Sequence, residues 1–304
     1  MTRIAFLLFL FAGTSAQAQD SVAPIADSLR AAGDFKAAIA AYKDALARVE
    51  SGAHHVAYSL AATYALEGQQ ADSAFHYLDR SLSQSSSVRP LYDPDFHFLT
   101  RDERWTGVQD RVLDHLAEEV GPGFDRFYAQ ELLSARLREW AYRWHIMFAF
   151  RTLGPESPIL TALADAMQAN HARNETTIFR LLDERGWPLL SRVGPEAAYA
   201  AGNLVNHAAL EMRQRYLPVL EAACRDGEAD WSEWAHILDR TELELGRPQV
   251  YGTQMEQNPA SGLFEPRPMV DPERVDALRA EKGMEPLQDQ LDRFNLAMKR
   301  DFGG

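Results

Sequence analysis

Apolar positions recur three and four residues apart along most of this chain, with charged residues between them. That spacing is the signature of amphipathic helix. Glycine and proline mark the breaks: Gly33, Gly68 and Gly121-Pro122-Gly123 in the first half, then Gly186-Trp187-Pro188, Gly194-Pro195 and Gly246. A glycine just past a helix suits its left-handed closing turn, and proline fits the first helical position. The pattern predicts one long aromatic-rich helix over residues 125–152, and two helices over 158–172 and 175–185 with Asn174 capping the second. Further helices are expected over 195–207, 213–225, 230–245, 271–282 and 287–298. Period-two alternation is nowhere convincing, so the expected fold class is all-α.

One stretch breaks the pattern. From Gln249-Val250-Tyr251-Gly252-Thr253-Gln254 onward, about twenty residues carry no amphipathic period. Long irregular segments inside compact domains are uncommon and are frequently functional.

The start of the chain reads as a processing signal. Arg3 precedes the apolar run from Ile4 to Ala12, and Ala16-Gln17-Ala18 supplies a small-x-small cleavage pattern. Residues 1–18 are therefore expected to be a signal peptide, and the mature protein to be exported, periplasmic or secreted. No cysteine stands directly after the expected cleavage site to carry a lipid anchor, and no later segment reaches transmembrane length. Cleavage removes Arg3 as the only charged side chain, moving the formal charge from −13 to −14. Such a balance repels phosphate backbones, so nucleic acid is not expected as a partner. Cys224 is the only cysteine, which excludes an intrachain disulfide; burial is the expected state of its thiol.

Residues 19–120 contain internal similarity. Gly33-Asp34-Phe35 leads into Ala38, Tyr42 and Ala45; a second copy carries Ala57, Leu60, Ala61, Tyr64, Gly68, Ala74, Leu78 and Leu82. Ala38 and Ala74 lie 36 residues apart, close to the period of about 34 in tetratricopeptide repeats, which this region resembles. Asp95-Phe96-His97-Phe98-Leu99 and Asp102-Glu103-Arg104-Trp105 resemble the segment that closes such arrays. The resemblance implies a concave face for a peptide or protein. Two repeats are also few enough to serve only as support for the C-terminal part of the chain.

Residues 121–304 are expected to form a second, helical domain. In order, Asn174, Gly186-Trp187-Pro188, Val193-Gly194, the alanines before His207, Tyr216-Leu217, Asp239-Arg240, the Gln249–Gln254 block, Asp271-Pro272, Arg279, Gly283 and Pro286-Leu287 resemble an uncharacterised bacterial domain family with no assigned activity. Asn206 and Ala208 stand where that family's pattern has glutamine and aspartate, and Glu139-Trp140-Ala141 departs from its aspartate–glutamine pair.

The established catalytic signatures are absent: there is no Gly-x-Ser-x-Gly elbow, phosphate loop, His-Glu-x-x-His or Cys-x-x-Cys. His207 with Glu211 and His236 with Asp239 have helix-face spacing for a divalent metal, but His171 with Glu175 repeats that spacing, and no metal or cofactor is expected. The candidate acid–base pair is His207 with Asp239. Arg240 either holds an anionic ligand or fastens the irregular segment. Gln249, Tyr251, Thr253 and Gln254 offer neutral donors for a polar ligand, and Trp187 is either a stacking surface or a packing plug. The leading expectation is an exported binding or scaffold protein recognising a peptide, protein or polar cell-envelope component. The alternative is an envelope hydrolase centred on His207 and Asp239.

Overall fold

A computed structural model describes residues 23–49, 51–68 and 70–302. Residues 1–18, expected from the sequence to be a signal peptide, lie outside the described residues. Among them the fold is all-α, with one small β-ribbon. Two compact units divide between Thr176 and Thr177, inside a helix.

The first unit opens with α1 (Pro24–Ala31), α2 (Phe35–Arg48), α3 (Ala53–Glu67) and α4 (Ala71–Leu82). Consecutive helices pack against one another, and Ala38, Ala57, Ala61 and Ala74 are fully buried. Two 3-10 segments, Arg89–Leu91 and Pro94–Arg101, come next and bury Phe96 and Leu99. Polar ties hold them down: Tyr58 donates to Asp93 Oδ2 at 2.8 Å, and Arg30 pairs with Asp95. Then come α5 (Trp105–Val120), α6 (Arg126–Glu139) and α7 (Arg143–Leu153). The unit continues past Gly121-Pro122-Gly123 because the aromatic residues beyond it pack backwards. Trp144 lies 4.8 Å from Phe35 between ring centroids, and Phe148 rests against Gly33 so closely that a Cβ there would meet it at 2.3 Å.

Two sequence expectations are corrected here. The aromatic helix is not continuous, because it stops at Glu139 and restarts at Arg143. The two helices expected over 158–172 and 175–185 are one, α8 (Pro158–Arg185). Both differences have the same cause. Asn174 is not a cap; it is fully buried in mid-helix, donating to Ala135 O at 2.9 Å and Glu139 Oε2 at 2.7 Å while accepting from Arg138 Nε at 3.0 Å. Asn170 donates to Arg138 O at 2.9 Å. Side chains of α8 thus satisfy backbone groups at the end of α6, where a helix leaves carbonyls without intrahelical partners.

The second unit contains α9 (Leu190–Val193), α10 (Pro195–His207), α11 (Leu210–Arg225) and α12 (Trp231–Glu244). The small residues of α10 permit close packing: a Cβ on Gly202 would meet the Glu233 carboxylate of α12 at 2.4 Å. The irregular stretch carries a feature the sequence pattern did not reveal. β1 (Met255–Gln257) pairs antiparallel with β2 (Phe264–Pro266), three residues each. Strands so short leave no readable alternation. The unit ends with α13 (Val275–Ala280) and α14 (Leu287–Phe302). No described helix is long and apolar enough to cross a membrane.

Candidate functional site

The site is built on α12. Asp230 begins the helix by accepting from Ser232 N at 2.7 Å, and Gly246, with φ of 75°, lies just beyond its end. Asp239 faces the loop beyond the helix and is fully buried. Its Oδ1 accepts from Val250 N at 2.8 Å and Tyr251 N at 3.1 Å. Its Oδ2 accepts from Tyr251 N at 3.2 Å, Thr253 N at 3.0 Å and the Thr253 hydroxyl at 2.9 Å. The carboxylate is thereby wrapped in converging loop donors, an anion nest whose anion is the protein's own side chain. Both oxygens are occupied and the side chain is closed off from solvent.

Gln249 gives the loop its second fastening. It is fully buried; its amide donates to Gln254 O at 3.0 Å and Arg267 O at 2.8 Å, while its Oε1 accepts from Gln254 N at 2.8 Å. Its backbone forms an isolated bridge to the segment around Met269, through Gln249 N to Pro268 O at 3.0 Å and Val270 N to Gln249 O at 2.8 Å. A third fastening comes from α13. Arg279, 1% exposed, donates to Tyr251 O and Glu285 O, both at 2.7 Å, and to Gln290 Oε1 at 2.5 Å. Burial holds its pKa below the ordinary arginine value. Gly252 sits between these ties with φ of 71°, and a Cβ there would press on Leu287 at 3.0 Å and the Met269 sulfur at 3.1 Å.

The sequence-predicted residues therefore divide. Asp239, Gln249, Thr253 and Tyr251 come together, but as the internal skeleton of the loop. Tyr251 is buried, its ring edge-on to Trp234 at 5.8 Å, and burial raises its phenol pKa. Gln254 is half-buried and donates to His236 O at 3.3 Å. Trp187 is buried in the core, its indole Nε1 lacking an acceptor among the described residues, so it packs and exposes no stacking face. Cys224 is buried too, its thiol pushed up to about 12 by that burial.

Arg240 does not bond the loop; Arg279 does. The Arg240 Nη1 instead donates to His207 Nδ1 at 3.2 Å. Nδ1 is then the imidazole acceptor, which puts the ring proton of the neutral form on Nε2. Burial and the neighbouring Arg213 charge lower the Arg240 pKa, against the opposing pull of Glu244. Arg213 itself is 1% exposed and pairs with Glu244, yet its Nε is buried without an acceptor among the described residues. His236 is engaged elsewhere: its Nδ1–H donates to Ser232 O at 2.8 Å, and burial lowers its pKa. No group of three or more His, Cys, Asp or Glu side chains among the described residues has metal-binding geometry.

Sequence reasoning missed Arg213 and placed Arg279 only within the family pattern, because an arginine gives no local signal of burial. In the other unit it named His171 only as a repeat of the ligand spacing with Glu175, and missed its pairing with Glu139. There His171 Nδ1 lies 2.7 Å from Glu139 Oε1, and its Nε2 lies 3.5 Å from Glu175 Oε1. The hydrogen bond that His171 donates to the Glu139 carboxylate raises the His171 pKa.

Residues 128–299 match a family model described as a family of unknown function (DUF6624). No curated protein and no solved structure matches the chain.

Proposed function

The chain belongs to this family of unknown function, and we propose that it acts as an exported binding protein rather than a hydrolase. The observation that carries the reading is the saturation of Asp239. The carboxylate that the sequence reading paired with His207 spends both oxygens on Val250, Tyr251 and Thr253. A group so enclosed holds a loop in shape; it neither attacks a substrate nor moves a proton. A loop held this rigidly does favour recognition, because ordering costs are met before the ligand arrives.

The half-buried Val250, Gln254, Arg240 and His207 would form the recognition face, and a polar envelope component, peptide or protein would be its ligand. The helical hairpins α1–α4, read as tetratricopeptide-like, would supply a second protein-binding surface or a support. The basic start at Arg3, the apolar run Ile4 to Ala12 and the Ala16-Gln17-Ala18 pattern support export to the periplasm or beyond.

Purified protein incubated with cell-envelope polymers and with a peptide library should bind saturably and release no product. Gln254→Ala should weaken that binding by about tenfold, the worth of a lost polar contact and the contacts around it. Product release that disappears in His207→Ala would replace this reading with the hydrolase one.

A further inference from the structure

Deepening that binding reading, and resting on it, we propose that the cluster of Arg213, Arg240 and His207 is an oxyanion site, taking a carboxylate or phosphate group of the ligand. Three helices build it. Arg240 and Glu244 are four residues apart on α12 and share a face. His207 ends α10, and Arg213 lies in the first turns of α11.

The charges do not balance. Arg240 and Arg213 both face Glu244, and only Arg213 is hydrogen-bonded to it. Arg240 has a neutral imidazole nitrogen as its hydrogen-bond partner, with four of its five N–H groups left for other acceptors. Arg213 keeps its Nε–H buried with no acceptor among the described residues. Two half-buried or buried guanidiniums sharing one carboxylate, in a chain of formal charge −13, are an excess that desolvation makes costly. An entering oxyanion would balance it, and a guanidinium fork matches two oxygens of a carboxylate or phosphate.

Two neighbouring features agree. The residue before α11 is Ala209, which has no side-chain oxygen to cap the helix, so the positive end of the α11 dipole adds to the same field. The hydrogen bond to His207 Nδ1 holds the Arg240 guanidinium in place within the cluster. Glu211, exposed on the same first turn, is the acidic neighbour that an anion meets outside the cluster.

The test is calorimetric titration of the full chain with inorganic phosphate, and with an N-acetylated tripeptide bearing either a free or an amidated C-terminus. Saturable binding of phosphate or of the free acid, at least about tenfold weaker for the amide, is expected. Preference between phosphate and free acid identifies the group. Arg240→Gln should weaken binding by about tenfold or more, and Glu244→Gln, which frees a second guanidinium, should tighten it. If Arg240→Gln does not fold, Glu244→Gln and the phosphate-dependent rise in Tm of the wild-type chain carry the test. Absence of binding to every probe, equal binding of acid and amide, or weaker anion binding in Glu244→Gln would overturn the inference. Ligand binding that responds to Gln254→Ala but not to Arg240→Gln would overturn the oxyanion site and leave the binding reading standing.

Discussion

Two polar clusters, one buried and one half-buried, each in its own compact unit, hold a carboxylate in opposite ways. Asp239 is held by neutral groups alone: the amides of Val250, Tyr251 and Thr253 and the Thr253 hydroxyl. Glu139 is held by Asn174 and by a titratable partner, His171. The first arrangement fixes the shape of a loop and has no proton to exchange with its partners. The second joins the end of α6 to α8 through a bond whose strength depends on the charge of an imidazole. A hydrogen-bonded carboxylate therefore marks a fastening in both units, and only the nature of its partner says whether that fastening responds to pH.

The largest effect should come from the loop cluster. Asp239→Ala leaves three amides and a hydroxyl without their acceptor in a buried place. The expected loss is about 3–5 kcal/mol of unfolding free energy, as for other buried charges stripped of a partner's complement. Denaturant titration measures it, and hydrogen exchange should show the Val250, Tyr251 and Thr253 amides losing protection first. A midpoint equal to the wild type would mean that Asp239 does not hold the loop.

Gly252→Ala should cost less, about 1–3 kcal/mol. It combines a left-handed φ of 71° with a Cβ at 3.0 Å from Leu287. The same substitution at Gly68, left-handed with φ of 79° and nothing nearer than 3.9 Å, should cost only the backbone part. Equal losses at the two sites would show that the Leu287 contact is slack.

The His171 cluster supplies the pH test. The carboxylates of Glu139 and Glu175 face its two ring nitrogens. Its folded-state pKa is raised, chiefly by the hydrogen bond to Glu139. The folded state therefore binds the proton more tightly than the unfolded chain. The resulting stability is fully present below the unfolded pKa of about 6.5 and is lost as pH rises through the folded value. Unfolding free energy measured across this window should fall by about 0.5–1 kcal/mol in the wild type, and that increment should vanish in His171→Gln. Glu139→Gln should remove most of it as well, whereas a correctly folded Asp239→Asn chain should retain it. An undiminished slope in His171→Gln would assign the pH dependence to another group.

The smallest effect is expected where a carboxylate is neither buried nor enclosed. Glu184 pairs with Arg180 at 2.7 Å, with both side chains about half exposed. Glu184→Gln should change stability by less than about 0.5 kcal/mol. A loss near that of Asp239→Ala would remove burial as the variable that separates these carboxylates.

The legibility of the chain tracks the range of the forces involved. Pro195 at the start of α10, Asp230 before α12, Gly246 after it and Gly186 after α8 mark helix ends through contacts within one turn, so their residue types alone announce them. The division of the aromatic helix at Glu139 and the fusion of 158–185 were not legible, because Asn170 and Asn174 act on backbone and side-chain groups more than thirty residues away. An asparagine read alone signals a cap; read with its partner, it ends a different helix. The small β1–β2 ribbon was hidden by its length of three residues per strand. In the candidate site, the Gln249–Gln254 block stood out because it breaks the helical period, but its direction did not. Asp239 and Arg240 are adjacent in sequence and turn to different tasks, one toward the loop and one toward His207.

The sequence by itself determined the all-α class, the helix ends set by glycine, proline and caps, and the address of the irregular loop, because periodicity and capping are local. Only the tertiary structure decided which carboxylate is sealed, that Arg279 rather than Arg240 ties the loop, and that Arg213 is buried beside Glu244. Burial and charge balance are properties of side chains brought together from distant turns, and no single segment carries them.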